Sequence, residues 1–140
     1  MKTREPRTLA EVETLLKRLF KSGVLQRMPK TRSDAEVVLS LLAATLDPQR
    51  NYSERELNSH LCDWLAGIAD PISLDHVSVR RYLIDASVVL RQDDGAAYRA
   101  NQAVINRNIT PDARAANPAE IFKTLATERA LRARRARPNN

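Results

Sequence analysis

Apolar residues at Leu9, Val12, Leu15, Leu16 and Leu19 recur at the three- and four-residue spacing of a helix with one buried side. Thr8-x-x-Glu11 ahead of them has the spacing of a capping box, and Gly23 is a stop signal after Lys21 and Ser22. Ser33-x-x-Glu36 repeats the box before Val37, Val38, Leu39, Leu41, Leu42 and Leu46, predicting a well-buried helix that ends near Asp47-Pro48. Ser53-x-x-Glu56 opens a third helix, with Leu57, Leu61, Trp64 and Leu65 on its inner side and Gly67 near its end. After an Asp70-Pro71 turn, a fourth helix is expected over residues 74–86. Val88-Val89-Leu90, the turn signal Asp94-Gly95 and Ala97-Tyr98-Arg99 then read as a β-hairpin. Past Asn101 the pattern weakens. Thr110-Pro111-Asp112 and Asn117-Pro118-Ala119-Glu120 are both helix starts, and the second leads Ile121, Phe122 and Leu125 into ALRARRAR. Pro138-Asn139-Asn140 is expected to fray.

This order predicts an α+β fold that is mostly α: a winged-helix-like domain, helices followed by a C-terminal hairpin wing, with extra helices at both ends. Composition agrees. The 140 residues are 43% hydrophobic but only 4% aromatic and include three glycines, which favours helix and suits one domain with terminal extensions. No apolar run approaches the ~18 residues of a membrane span, and the charged start lacks the apolar core of a signal peptide. With a single cysteine, Cys62, no internal disulfide can form. A cytoplasmic protein without a membrane partner is the expectation.

Charge changes the picture. The net charge of +6 invites a nucleic-acid reading, yet it is unevenly placed. Residues 1–32 carry nine Lys/Arg against three Glu, and residues 128–140 carry five Arg against one Glu. Residues 33–100 carry six Arg against eleven Asp/Glu. The flanks are basic and the centre is acidic.

Within that centre Arg80 and Arg81 stand side by side on the fourth helix. On a helical wheel the apolar arc, with Val79, Leu83, Ala86, Val77 and Ile84, centres on His76; Arg80 lies about 40° from it and Arg81 about 140°. Arg80 is therefore expected to pack inward and pair with Glu54, Glu56 or Asp75, so that Arg80→Ala costs the ~3–5 kcal/mol of breaking a buried pair. Arg81, with Ser78 and Tyr82, forms the outward, polar side.

Tyr52-Ser53-Glu54-Arg55-Glu56-Leu57-Asn58, then DHVSVRRYLID over residues 75–85, then Leu90-Arg91, Gly95 and Tyr98-Arg99 together resemble the family catalogued as domain of unknown function 2087 (DUF 2087). Several spaced motifs occur in the family's order. The resemblance covers about residues 18–100, which leaves 1–17 as an N-terminal helical extension and 101–140 as a C-terminal extension with a basic helix. It implies a winged-helix-type domain in a transcription-linked setting, with no established chemistry. Where the family carries Gly soon after its L-[VI]-D, this chain has Ala86-Ser87, and its 62–73 segment is longer than the family's.

Catalysis and metal binding find little support. Glu54 and Glu56 are two apart, point to different sides of a helix, and serve its N-terminus rather than forming a catalytic pair. His60, Cys62 and His76 offer too few ligands for a metal site, with His76 read as facing the core and Cys62 as a small apolar filler. No glycine-rich phosphate loop exists. The reading is thus non-enzymatic, with no cofactor and no metal. Double-stranded DNA is the expected partner, contacted by Ser78, Arg81 and Tyr82, by Arg91 and Arg99 in the wing, and by Arg132, Arg134 and Arg135 of the tail. Arg27, Lys30 and Arg32 are further candidates for phosphate contact. The rival is a protein-interaction module that dimerises or docks on a partner regulator, for example through Ile121, Phe122 and Leu125. A small-ligand sensor with a pocket between the helices is a third reading, without direct sequence support.

Overall fold

The computed structural model describes residues 5–92 and 97–136. They form α1 (Leu9–Leu19), α2 (Arg32–Ala44), α3 (Glu54–Leu65), α4 (His76–Asp85), β1 (Val89–Arg91), β2 (Tyr98–Ala100), α5 (Gln102–Asn108), a 3₁₀ turn (Asp112–Ala115) and α6 (Pro118–Ala136). The class is α+β and mostly α, with one two-stranded antiparallel sheet among the described residues. The Asp94-Gly95 turn and the 138–140 end lie outside the described residues.

Two of the three capping boxes form as the spacing predicts. Thr8 Oγ1 accepts from the Glu11 N–H while the Glu11 carboxylate accepts from the Thr8 N–H, and Ser53 and Glu56 do the same for α3. The box at Ser33 does not form. Thr31 is the cap residue of α2, the Ser33 hydroxyl accepts from Arg7, and Glu36 pairs with Arg32 at 2.9 Å. Asn117 caps α6, its Oδ1 accepting from the Glu120 N–H at 3.2 Å. The sequence pattern predicts no helix at α5, whose seven residues bury Val104 and Ile105.

α2 is the central post. Every residue from Val37 to Ala43 is buried, and α4 and α5 pack against the helix. Ser40 is the one buried polar residue among the described residues, and its hydroxyl accepts from Asn108 Nδ2 at 3.0 Å, satisfying the group that burial would otherwise strand. The terminal segments share the same core. Val12, Leu16 and Phe20 of the N-terminal segment and Ile105 and Ile109 beyond residue 100 are buried in one cluster with Val38, Leu57 and Leu83. Arg7 and Ile109 form a parallel bridge that ties the two segments to each other. α6 lies along α1, with Phe122 meeting Phe20 edge-on at 5.3 Å between ring centroids.

The hairpin pairs Val89 with Ala100, Leu90 with Arg99 and Arg91 with Tyr98. A third chain segment joins it: Tyr52, just before α3, exchanges both backbone hydrogen bonds with Tyr98 at 2.8 and 2.7 Å. From α2 onward the order is therefore helix, bridge residue, helix, helix, strand, strand.

Candidate nucleic-acid interface

α4 starts at Asp75, whose carboxylate accepts from the Ser78 N–H at 2.8 Å; that bond holds the Asp75 carboxyl below its ordinary pKa. Val79 and Leu83 are its buried residues. The buried side is thus narrower than the helical wheel predicts and turned away from Val77, which is 42% exposed. His76 is only partly buried, and Cys62 is exposed rather than filling the core. Both line a cavity of about 290 Å³ at the α3–α4 connection, with Pro71 and Leu74. Among the described residues no three His, Cys, Asp or Glu side chains cluster as a metal site would require.

The two adjacent arginines part company. Arg80 reaches across to α3, donating from Nη1 to Asn58 Oδ1 at 2.5 Å and lying 3.3 Å from Glu54 Oε1. Its side chain is 20% exposed and that of Glu54 is 58% exposed, so water reaches one half of the pair. Glu56 is not the partner: it completes the α3 capping box and meets Arg50, and the Ser53 backbone hydrogen bond, then the Ser53 hydroxyl and Arg50, hold its carboxyl below the ordinary value. Arg81 is exposed and has no hydrogen bond or ion pair among the described residues. Tyr82 and Asp85 are exposed beside it, and Ser78 is half-buried.

The hairpin arginines are divided by register. Residues directly opposite in an antiparallel pair share a face, so Arg99 lies with Leu90 and Arg91 lies with Tyr98 on the other side. The Arg91 guanidinium sits 6.0 Å from the Tyr98 ring centroid, and Arg99 donates to the Pro48 carbonyl at 3.5 Å. One flat partner cannot take both from the same side.

The basic tail is carried elsewhere. Arg129 still belongs to the body, donating to the Phe20 carbonyl at 3.3 Å, but every residue from Ala130 to Ala136 is exposed. Arg132, Arg134 and Arg135 therefore ride on two turns of helix that extend past their support on α1. Ile121, Phe122 and Leu125, the face the sequence offered to a partner, are partly buried against the protein's own core, with Ile121 and Leu125 also lining a cavity of about 270 Å³ beside Lys17.

Sequence reasoning did not group Arg27, Lys30 and Arg32 with Tyr82. The structure does, around a groove of about 460 Å³ between the segment preceding α2 and the C-terminal half of α4. No sequence signal joins two segments some fifty positions apart; only the packing of α4 on α2 does so.

A family model described as an uncharacterized protein conserved in bacteria (DUF2087) matches residues 24–100. No curated protein and no solved structure matches the chain.

Proposed function

The chain belongs to the DUF2087 family, whose match spans more than half of its 140 residues, and from that premise we propose that it is a non-enzymatic regulatory module of winged-helix type that contacts double-stranded DNA through α4. The observation that carries this reading is the parting of Arg80 and Arg81. One arginine braces α4 against α3, which fixes the helix, and the next is left with its donors directed to solvent. A helix held from behind, with Arg81 and Tyr82 outward, Ser78 half-buried one turn before them and a hairpin following, has the layout of a helix presented to a groove with a wing beside it. Arg99 on one face of the wing and Arg132, Arg134 and Arg135 on the projecting end of α6 supply phosphate contacts. The acidic balance of residues 33–100 is offset in part by arginines from outside that stretch: Arg7 and Arg18 pair with Asp34, and Arg32 pairs with Glu36. A protein of this kind works in the cytoplasm, on transcription.

The test is fluorescence anisotropy of a labelled random-sequence duplex with the full chain at about 50 and about 200 mM salt. Binding should weaken steeply with salt, and Arg81→Ala should weaken it at both concentrations. Arg132→Gln, Arg134→Gln and Arg135→Gln together should flatten the salt slope by up to about 0.9 for each phosphate left without its arginine. Absence of binding at the lower salt would reject DNA as the partner. A second reading has its own observation: Val77 and Leu90 are large apolar residues left 42% and 49% exposed near Arg81 and Arg99. A protein partner, a second copy or a companion regulator, would cover them. Association by that route should persist at both salt concentrations in sedimentation experiments.

A further inference from the structure

We propose that the groove between residues 27–32 and the C-terminal half of α4 binds a small organic anion, a carboxylate or phosphate carried on an apolar body. Its volume of about 460 Å³ falls within the ~300–1,000 Å³ range of small-molecule pockets. The floor is apolar. Leu39 is buried at its base, and Met28, Pro29, Ala35 and Ala86 are half-buried along its walls. The rim carries three cations against two carboxylates, Glu36 and Asp85; Glu36 is taken by Arg32, while Arg27 and Lys30 are exposed, with no ion pair among the described residues. Tyr82, 41% exposed, adds a ring face from α4.

These parts select an amphipathic anion over other occupants. A nucleic-acid backbone needs cations on an accessible surface and gains nothing from a recessed apolar floor. A wholly apolar molecule would leave Arg27 and Lys30 unused. Asp85, which also lines the groove, disfavours a second negative charge on the ligand and offers an acceptor to a hydroxyl or amine. The site stands independently of DNA contact. If α4 does contact DNA, Tyr82 belongs to both surfaces, and ligand and duplex would then compete; that coupling rests on the DNA reading.

The probe is 8-anilinonaphthalene-1-sulfonate, an anion on an aromatic body that fluoresces in apolar sites, titrated into the full chain. Saturable, one-to-one enhancement is expected, displaced by octanoate but not by inorganic phosphate at the same concentration. Arg27→Ala with Lys30→Ala should weaken it roughly tenfold, the effect of removing two charge-assisted hydrogen bonds at a solvent-accessible rim. Tyr82→Ala should also weaken it. All three positions lie outside the core, so unchanged circular dichroism melting shows that the variants remain folded. Non-saturating fluorescence, equal displacement by phosphate, or affinity unmoved by these substitutions would overturn the proposal. Loss of duplex binding in the double variant with probe binding intact would assign the cations to a phosphate backbone and overturn it as well.

Discussion

Arg80 and Arg81 are separated by about 100° on the helix, enough to place one over α3 and the other over solvent. The energetic expectation for Arg80 changes once its partners are known. Glu54 is more than half exposed, so its charge stays largely hydrated and the pair is worth less than a buried one. Arg80→Ala should cost about 1–2 kcal/mol, mostly through the Asn58 hydrogen bond and the packed stem, rather than the cost of a fully buried pair. Arg81→Ala should leave stability unchanged. Urea melts of both variants distinguish these outcomes. Ser87 is the second informative residue. Its φ of 62° places it in the left-handed region, which favours glycine. The chain must reverse there to send α4 into β1, and Asn101 Nδ2 fastens the turn by donating to the Ser87 carbonyl at 2.9 Å. Ser87→Gly should relieve the strain, and after the added unfolded-state entropy is subtracted it should stabilise by about 0.5–1 kcal/mol, read as a raised urea midpoint.

At the scale of elements, α1 decides how α2 begins. Capping-box spacing at Ser33 and Glu36 is a sound local signal, but folding brings Arg7 and Arg18 to the same helix end, where Asp34 takes both at 2.9 and 2.6 Å. Burial pushes the Asp34 carboxyl up, and its hydrogen bonds from Thr31, Arg7 and Arg18 outweigh that and leave it below the ordinary value. A local preference yields to a tertiary ion-pair cluster. α6 shows the converse. Its start is legible in Asn117-Pro118, whereas its use is not: Ile121, Phe122 and Leu125 could have met a partner and instead cover α1. Phe122→Ala should therefore destabilise the protein by about 1–3 kcal/mol, below the ~3–5 kcal/mol of a fully buried ring because Phe122 is only partly enclosed. Unchanged thermal melting would mean that α6 lies on the body without supporting it.

For the whole molecule, one continuous core has a testable consequence. The family match ends at residue 100, yet Phe20, Ile105 and Ile109 are packed with Leu57 and Leu83 of the matched region. Unfolding should then be a single event. Trp64, the only tryptophan, reports on α3, whereas far-ultraviolet circular dichroism reports on all helices, α1 and α6 included. Coincident midpoints are expected, and a separate, earlier loss of helix with Trp64 fluorescence unmoved would show that the flanks melt independently.

Periodicity is enough to place α1 to α4, the hairpin and the start of α6, because those signals are local, although the buried side of α4 and the cap of α2 differ from what local spacing predicts. The mixed, mostly helical class follows from them. α5 escapes notice because seven residues give too few turns for a period, and its reason to be helical is the packing of Val104 and Ile105 in the core. Pairwise choices between distant residues belong to the tertiary structure alone: Arg80 with Asn58 and Glu54, Asp34 with two arginines of the N-terminal segment, Phe122 with Phe20, and Arg27 and Lys30 beside Tyr82. A sequence states which groups need partners. Chain topology decides which of the chemically equivalent candidates comes within reach.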